Sequence, residues 1–190
     1  MSLPLRLNYP DFIRCALTRW TIMKPAQFFL SQQLTPGLIN GLINGLIAWS
    51  MHRHTAALGL WTQGAYAIDL MATGFLLPAI SWLILRPLLG RQFRQGTAPQ
   101  LEALPPPKLL KFMPRGLWTG TLVIGLMGMT LVGGVCVVLL QWLGSPDIVG
   151  SDYAWFKGLF GLLLTLILQP TMVYAAIDHA QGVAQKALKA

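Results

Sequence analysis

Gly37-Leu38-Ile39-Asn40-Gly41-Leu42-Ile43-Asn44-Gly45 is the stretch whose reading decides the fold. Gly and Asn each recur every four residues inside an apolar run. At ~100° per residue on a helix, Gly37, Gly41, Gly45, Asn40, Asn44 and Ala48 share one face. Leu38, Ile39, Leu42, Ile43, Leu46 and Trp49 cover the remainder. One face is small and polar, while the other suits lipid. A transmembrane helix that packs closely on a neighbour and buries two amides there has this pattern.

Composition points the same way. The chain has 190 residues, 54% hydrophobic and only 11% charged. Its mean hydropathy is +0.56. Soluble domains carry about 25% charged residues. A soluble core of this length has no room for so much apolar surface, so lipid is the expected solvent. The net charge of +8 comes from residues that flank apolar segments. That placement suits anionic lipid headgroups and not nucleic acid. The two cysteines, Cys15 and Cys136, fall at different expected depths, so no disulfide is expected. No Cys/His cluster marks a metal site, and no motif marks a cofactor. No apolar stretch precedes Asp11 as a signal peptide would require, so the spans themselves must direct insertion.

Outward from the opening stretch, the pattern predicts an all-α membrane bundle of four spans. A cytoplasmic-side amphipathic segment covers 1–27, and within it residues 10–23 read as a helix. Phe12, Ile13, Ala16, Trp20 and Met23 lie on one side, with Asp11, Arg14, Thr18 and Arg19 on the other. This helix either lies in the headgroup region or packs on the bundle as a lead-in. A first hairpin covers 28–85. Its first span runs from Phe28 to Met51 with a kink at Pro36, or starts at Pro36. Its second runs from Gly64 to Leu85 and is stopped by Arg86-Pro87. A basic loop with Pro105-Pro106-Pro107 covers 86–116, and a second hairpin covers 117–177. Its spans run from Leu117 to Leu143 and from Tyr153 to Ile177. A tail, 178–190, closes the chain. Trp and Tyr residues gather near span ends, as an aromatic belt does.

The halves match at an offset of 92 residues. Pro78 aligns with Pro170, Trp82 with Tyr174 and Gly41 with Gly133. Each half would be a basic segment followed by a two-helix hairpin, repeated in the same orientation. The other possibility is coincidence between apolar helices rich in Gly and Pro. Asn40, Asn44 and Asp69 align with Val132, Cys136 and Gly161, so those polar groups belong to the first half alone.

Asp69 is the acid expected well inside a span. Carboxylates in hydrocarbon need a partner, water or a proton. Asn44 sits at a similar expected depth and offers an amide. Asn40, Asn44 and Asp69 are therefore the candidate polar site. They form either a proton-titrating or cation-binding site, or a hydrogen-bonded lock between the first two spans. Gly37, Gly41, Gly45, Gly133, Gly158 and Gly161 are candidate helix-packing positions. Gly158, Gly161, Thr165, Gln169 and Ala176 share one face of the fourth span. Pro36, Pro78 and Pro170 are candidate kinks, and each frees a carbonyl four residues earlier. His52-Arg53-His54 reads as a pH-sensitive group or as a solvated helix end. No Gly-x-Ser-x-Gly, phosphate loop or HExxH occurs, and six acids leave little for an enzyme.

The run from Asn40 to Trp49, with Ala67-Ile68-Asp69-Leu70 and Thr73-Gly74-Phe75-Leu76-Leu77-Pro78, resembles small proteobacterial membrane proteins labelled "permease". The resemblance covers the first two spans best. It implies a four-helix protein of the bacterial inner membrane. Two function classes follow. One is a permease or transporter working as a homo-oligomer. The other is a non-catalytic accessory or assembly subunit bound to a membrane-protein partner.

Twelve of the fourteen basic residues fall before the first span, between spans two and three, or after the fourth; Arg53 and Lys157 are the exceptions. Both termini are therefore expected in the cytoplasm. In a Cys15→Ser, Cys136→Ser background, a membrane-impermeant maleimide should label Ala56→Cys in intact cells. It should label Gln100→Cys only after lysis. Equal labelling of both in intact cells would contradict this orientation.

Overall fold

The computed structural model describes residues 25–62, 64–95, 116–144 and 146–189. Four helices account for most of them. Helix α1 is Pro25–His52, α2 is Tyr66–Arg94, α3 is Leu117–Trp142 and α4 is Gly150–Lys189. Three of these, α2, α3 and residues Gly150–Val183 of α4, are long and apolar enough to cross a membrane. At ~1.5 Å per residue each exceeds the ~30 Å hydrocarbon core. That is the signature of a multi-pass membrane protein. Helix α1 has the length, 28 residues, but is not among the three. The two asparagines that mark its packing face also lower its hydropathy. The amphipathic segment 10–23 and residues 96–115 of the loop lie outside the described residues.

Helices run further than the sequence predicts. Helix α1 is continuous from Pro25 through Pro36, so the helix begins ahead of both expected span starts. Helix α2 passes Arg86-Pro87 and ends at Arg94. Leu85 and Leu89 are buried on either side of Pro87, and Phe93 packs on the same core. Burial of that continued face outweighs the ~3 kcal/mol penalty of an interior proline. Helix α4 continues past Ile177 to Lys189. Pro36, Pro78 and Pro170 all sit inside helices.

Packing order differs from chain order. Helices α1 and α2 share almost no contact, although they are neighbours in sequence. Instead α1 lies along α4, α4 lies against α2, and α2 lies against α3. Helix α4 is the central element, buried on every side from Thr171 to Ile177. The hairpins expected over 28–85 and 117–177 are therefore linked in the chain without packing as pairs.

Small residues set the distances. A Cβ on Gly41 would stand 3.0 Å from the Gly158 carbonyl oxygen, and one on Gly158 would stand 3.1 Å from that of Gly41. The backbones touch, which permits Cα–H···O contacts between them. Gly37 and Gly45 extend the seam against Leu162 and against Ala154 and Gly158. On the other side, Gly133 meets Leu70 and Met71, and Gly128 meets the Gly74 carbonyl. Pro78 removes the helical partner of that carbonyl, and the Gly128 backbone takes its place.

Helix α3 carries one irregularity. Residues Gly128–Gly134 form a π-helical turn, with α-helix on both sides. The wider turn changes the angular register, so that Gly128 and Gly133 both face α2.

Gly128→Val should destabilise the bundle by roughly 1–3 kcal/mol, because the added side chain meets a neighbouring backbone. Gly90→Ala meets nothing within 4 Å and should be neutral or stabilising by up to ~1 kcal/mol. Unfolding in mixed micelles reads both. A tolerated Gly128→Val would disprove the close contact.

Candidate functional site

Helix α4 carries Tyr153, Lys157, Gly161, Thr165 and Gln169 at every fourth position. These fall on one stripe of the helix and are all buried. The stripe spans about 24 Å at ~1.5 Å per residue. Its Tyr153–Lys157 end meets α2, and its part from Gly161 to Gln169 meets α1. Asn40 of α1 donates to the Thr165 hydroxyl at 2.9 Å, and Gln169 Nε2 donates to the Gln32 carbonyl of α1 at 3.1 Å. Thr165 and Gln169 also line a cavity of about 10 Å³ with Leu77 and Ser81 of α2.

At the end of the bundle where α2 and α4 begin, Asp69 meets this stripe. The Lys157 ammonium and the Tyr153 hydroxyl both donate to its Oδ2. Lys157 Nζ and Asp69 form an ion pair whose side chains are 6% and 35% exposed, respectively. Asp69 lies in the first turn of α2, where unpaired N–H groups favour negative charge. Tyr153 is fully buried, and Tyr66 and His52 pack their rings on it at 5.6 and 5.7 Å between centroids. Residue 157 reads in the sequence as a basic group at a span end. In the structure it is the buried partner of Asp69.

The three expected polar residues are split in two. Asn44 Nδ2 donates to the Asn40 carbonyl at 2.9 Å and does not reach Asp69. Asn40 and Asn44 lie on the α1–α4 seam, whereas Asp69 lies on the α2–α4 seam. The reason is topological: α1 and α2 are not packed together, so their side chains meet α4 and not each other. The signal that finds Lys157 is the four-residue period of α4 continued one step beyond Gly161.

The connections at this end hold the site. Leu58 and Ile148 form an antiparallel bridge with N···O distances of 2.8 and 3.0 Å. Tyr66 donates its hydroxyl to the Pro146 carbonyl at 2.8 Å, and Trp61 Nε1 donates to Gln141 at 2.6 Å. Gly64 takes φ +84°, the left-handed region that glycine enters without a Cβ penalty. That turn delivers the chain into α2 three residues before Asp69 is reached on its first turn. His52 packs on Tyr153, and Arg53 stacks over Trp49 at 4.7 Å.

Among the described residues, no three His, Cys, Asp or Glu side chains gather as metal ligands would. Cys136 is a free, half-buried thiol. Comparison with protein families, with curated proteins and with solved structures finds no match.

The two charges of the pair differ in surroundings. Asp69→Asn leaves a buried ammonium without its counter-ion and should cost roughly 3–5 kcal/mol. Lys157→Met leaves a carboxylate that is a third exposed, and the cost should be nearer ~1 kcal/mol after solvent screening. Folding free energies of the two variants and their double give the order. A larger loss in Lys157→Met would refute this account of the pair.

Proposed function

We propose that this protein is a small permease of the inner membrane, moving a small polar solute along the stripe of α4. The observation that carries this reading is the distribution of polar groups over depth. Asp69, Lys157 and Tyr153 occupy one end, Asn40, Asn44 and Thr165 the middle, and Gln169 with the Gln32 carbonyl the far part. A path needs polar groups through the membrane's depth. Polar side chains within spans are costly, and function is a common reason to keep them. In this reading all four helices span, with both termini cytoplasmic and basic segments on anionic headgroups. The "permease" label of the proteins it resembles agrees.

In this reading the protein works as a homo-oligomer, because four spans rarely enclose a path alone. The tandem repeat also has support. Gly41 packs on Leu162, and Gly133, 92 residues on, packs on Leu70, the counterpart of Leu162. The α1–α4 seam thus corresponds to the α3–α2 seam. Two repeated units that exchanged partners about a central α2–α4 pair would have this form.

The accessory-subunit reading has its own observation: each of these polar groups is engaged within the chain, as ties between helices would be. Reconstitution separates the two. In phosphatidylethanolamine–phosphatidylglycerol vesicles under a potassium diffusion potential, the purified protein should carry a proton or cation current. Thr165→Val with Gln169→Leu should reduce it tenfold or more while the native mass stays that of an oligomer. A monomer without flux that copurifies with a stoichiometric second protein would establish the accessory role instead.

A further inference from the structure

We propose that Asp69 is the carboxylate of a monovalent-cation site, and that the Lys157 ammonium is a tethered stand-in which an alkali-metal ion displaces. The inference rests on the permease reading for its direction and deepens it by naming the solute class.

Three features of the geometry carry it. Both donors to Asp69 reach the same oxygen, Oδ2, and among the described residues Oδ1 accepts no hydrogen bond. The Asp69 side chain is 35% exposed, so solvent reaches the carboxylate. Hard oxygen donors of this kind suit an alkali cation, and the Tyr153 oxygen lies against the same carboxylate.

Lys157 is held by a flexible four-carbon stem, and its ammonium meets Asp69 from the opposite helix. In a helix such a side chain leans toward the N-terminus. The ammonium can therefore withdraw toward the nearby start of α4 as the ion arrives, with net charge at the carboxylate conserved.

Binding is read without transport, on the intact protein in detergent. Thermal unfolding is followed in NaCl and in choline chloride at equal ionic strength. Na⁺ should stabilise the wild type relative to choline. In Lys157→Met the tethered competitor is gone, so the half-effective Na⁺ concentration should fall roughly tenfold. In Lys157→Met with Asp69→Asn the ion-specific shift should vanish. A Lys157→Met protein that melts identically in the two salts overturns the proposal, as does a shift that survives in the double variant. The wild type supplies a second readout that needs no variant. A hydrophobic carbodiimide should modify Asp69, located by peptide mass, and Na⁺ should slow the reaction where choline does not. Equal rates in both salts, or no modification in either, also overturn it. Na⁺ binding without flux in vesicles would leave this site standing and remove the permease reading. Flux without ion-specific binding would do the reverse.

Discussion

Helix α4 places a polar or small residue at every fourth position along a strip that winds ~40° per step around it, and in hydrocarbon none of those polar groups can be left unpaired. The remaining architecture answers that constraint. Helix α1 supplies Asn40 and a backbone carbonyl, and α2 supplies Asp69. Helix α3 packs mainly on α2 and touches α4 only at its π-turn, where Gly128 lies against Leu168. The central position of α4 is thus chemical as well as steric: it has the groups that need partners.

Close approach makes those bonds possible. Asn and Thr side chains are short, so α1 must come near α4 before Asn40 can reach Thr165. Gly41 and Gly158 permit this because neither backbone carries a Cβ at the crossing. The prolines contribute through what they leave open. Pro36 removes the helical donor of the Gln32 carbonyl, and Gln169 of α4 donates to it instead. Pro78 does the same to Gly74, whose carbonyl rests against Gly128. In each case a defect within one helix becomes a contact between two. Individual membrane hydrogen bonds average only about 0.6 kcal/mol, so their weight lies in number and in fixing register.

The buried ion pair differs in kind. Desolvating an ammonium costs more than its bond to one carboxylate securely returns, so such a pair is weak evidence for stability alone. Hydrocarbon-embedded charges are more often kept for what they do. Here the two ends are unequally solvated, and the more exposed one is the acid. Stability by itself requires no such asymmetry, and the proposed exchange with an external cation needs an acid that solvent can reach.

Much of the fold was legible in local periodicity. The Gly37–Gly45 repeat marks the face of α1 that packs, and the long apolar runs mark α2, α3 and α4, because a helix's faces follow from 3.6 residues per turn. Helix ends were less legible. Arg86-Pro87 reads as a stop, yet Leu85 and Leu89 continue a buried face through it, and tertiary burial overrides local propensity. The π-turn at Gly128–Gly134 has no sequence signal beyond its glycines. The site was half legible. Asp69 stands out as an acid in an apolar helix, and Asn40 and Asn44 as amides on a packing face. Its partner did not stand out, since Lys157 lies 88 residues away and near enough to a helix start to read as solvated. By itself, then, the sequence determined the solvent, the helical class, the packing faces and the presence of an acid that must be answered. Only the tertiary structure decided which helices meet. Pairing of helices depends on shape and polar complementarity between segments far apart in the chain, and that sent α1 to α4, separated Asn44 from Asp69, and paired Asp69 with Lys157.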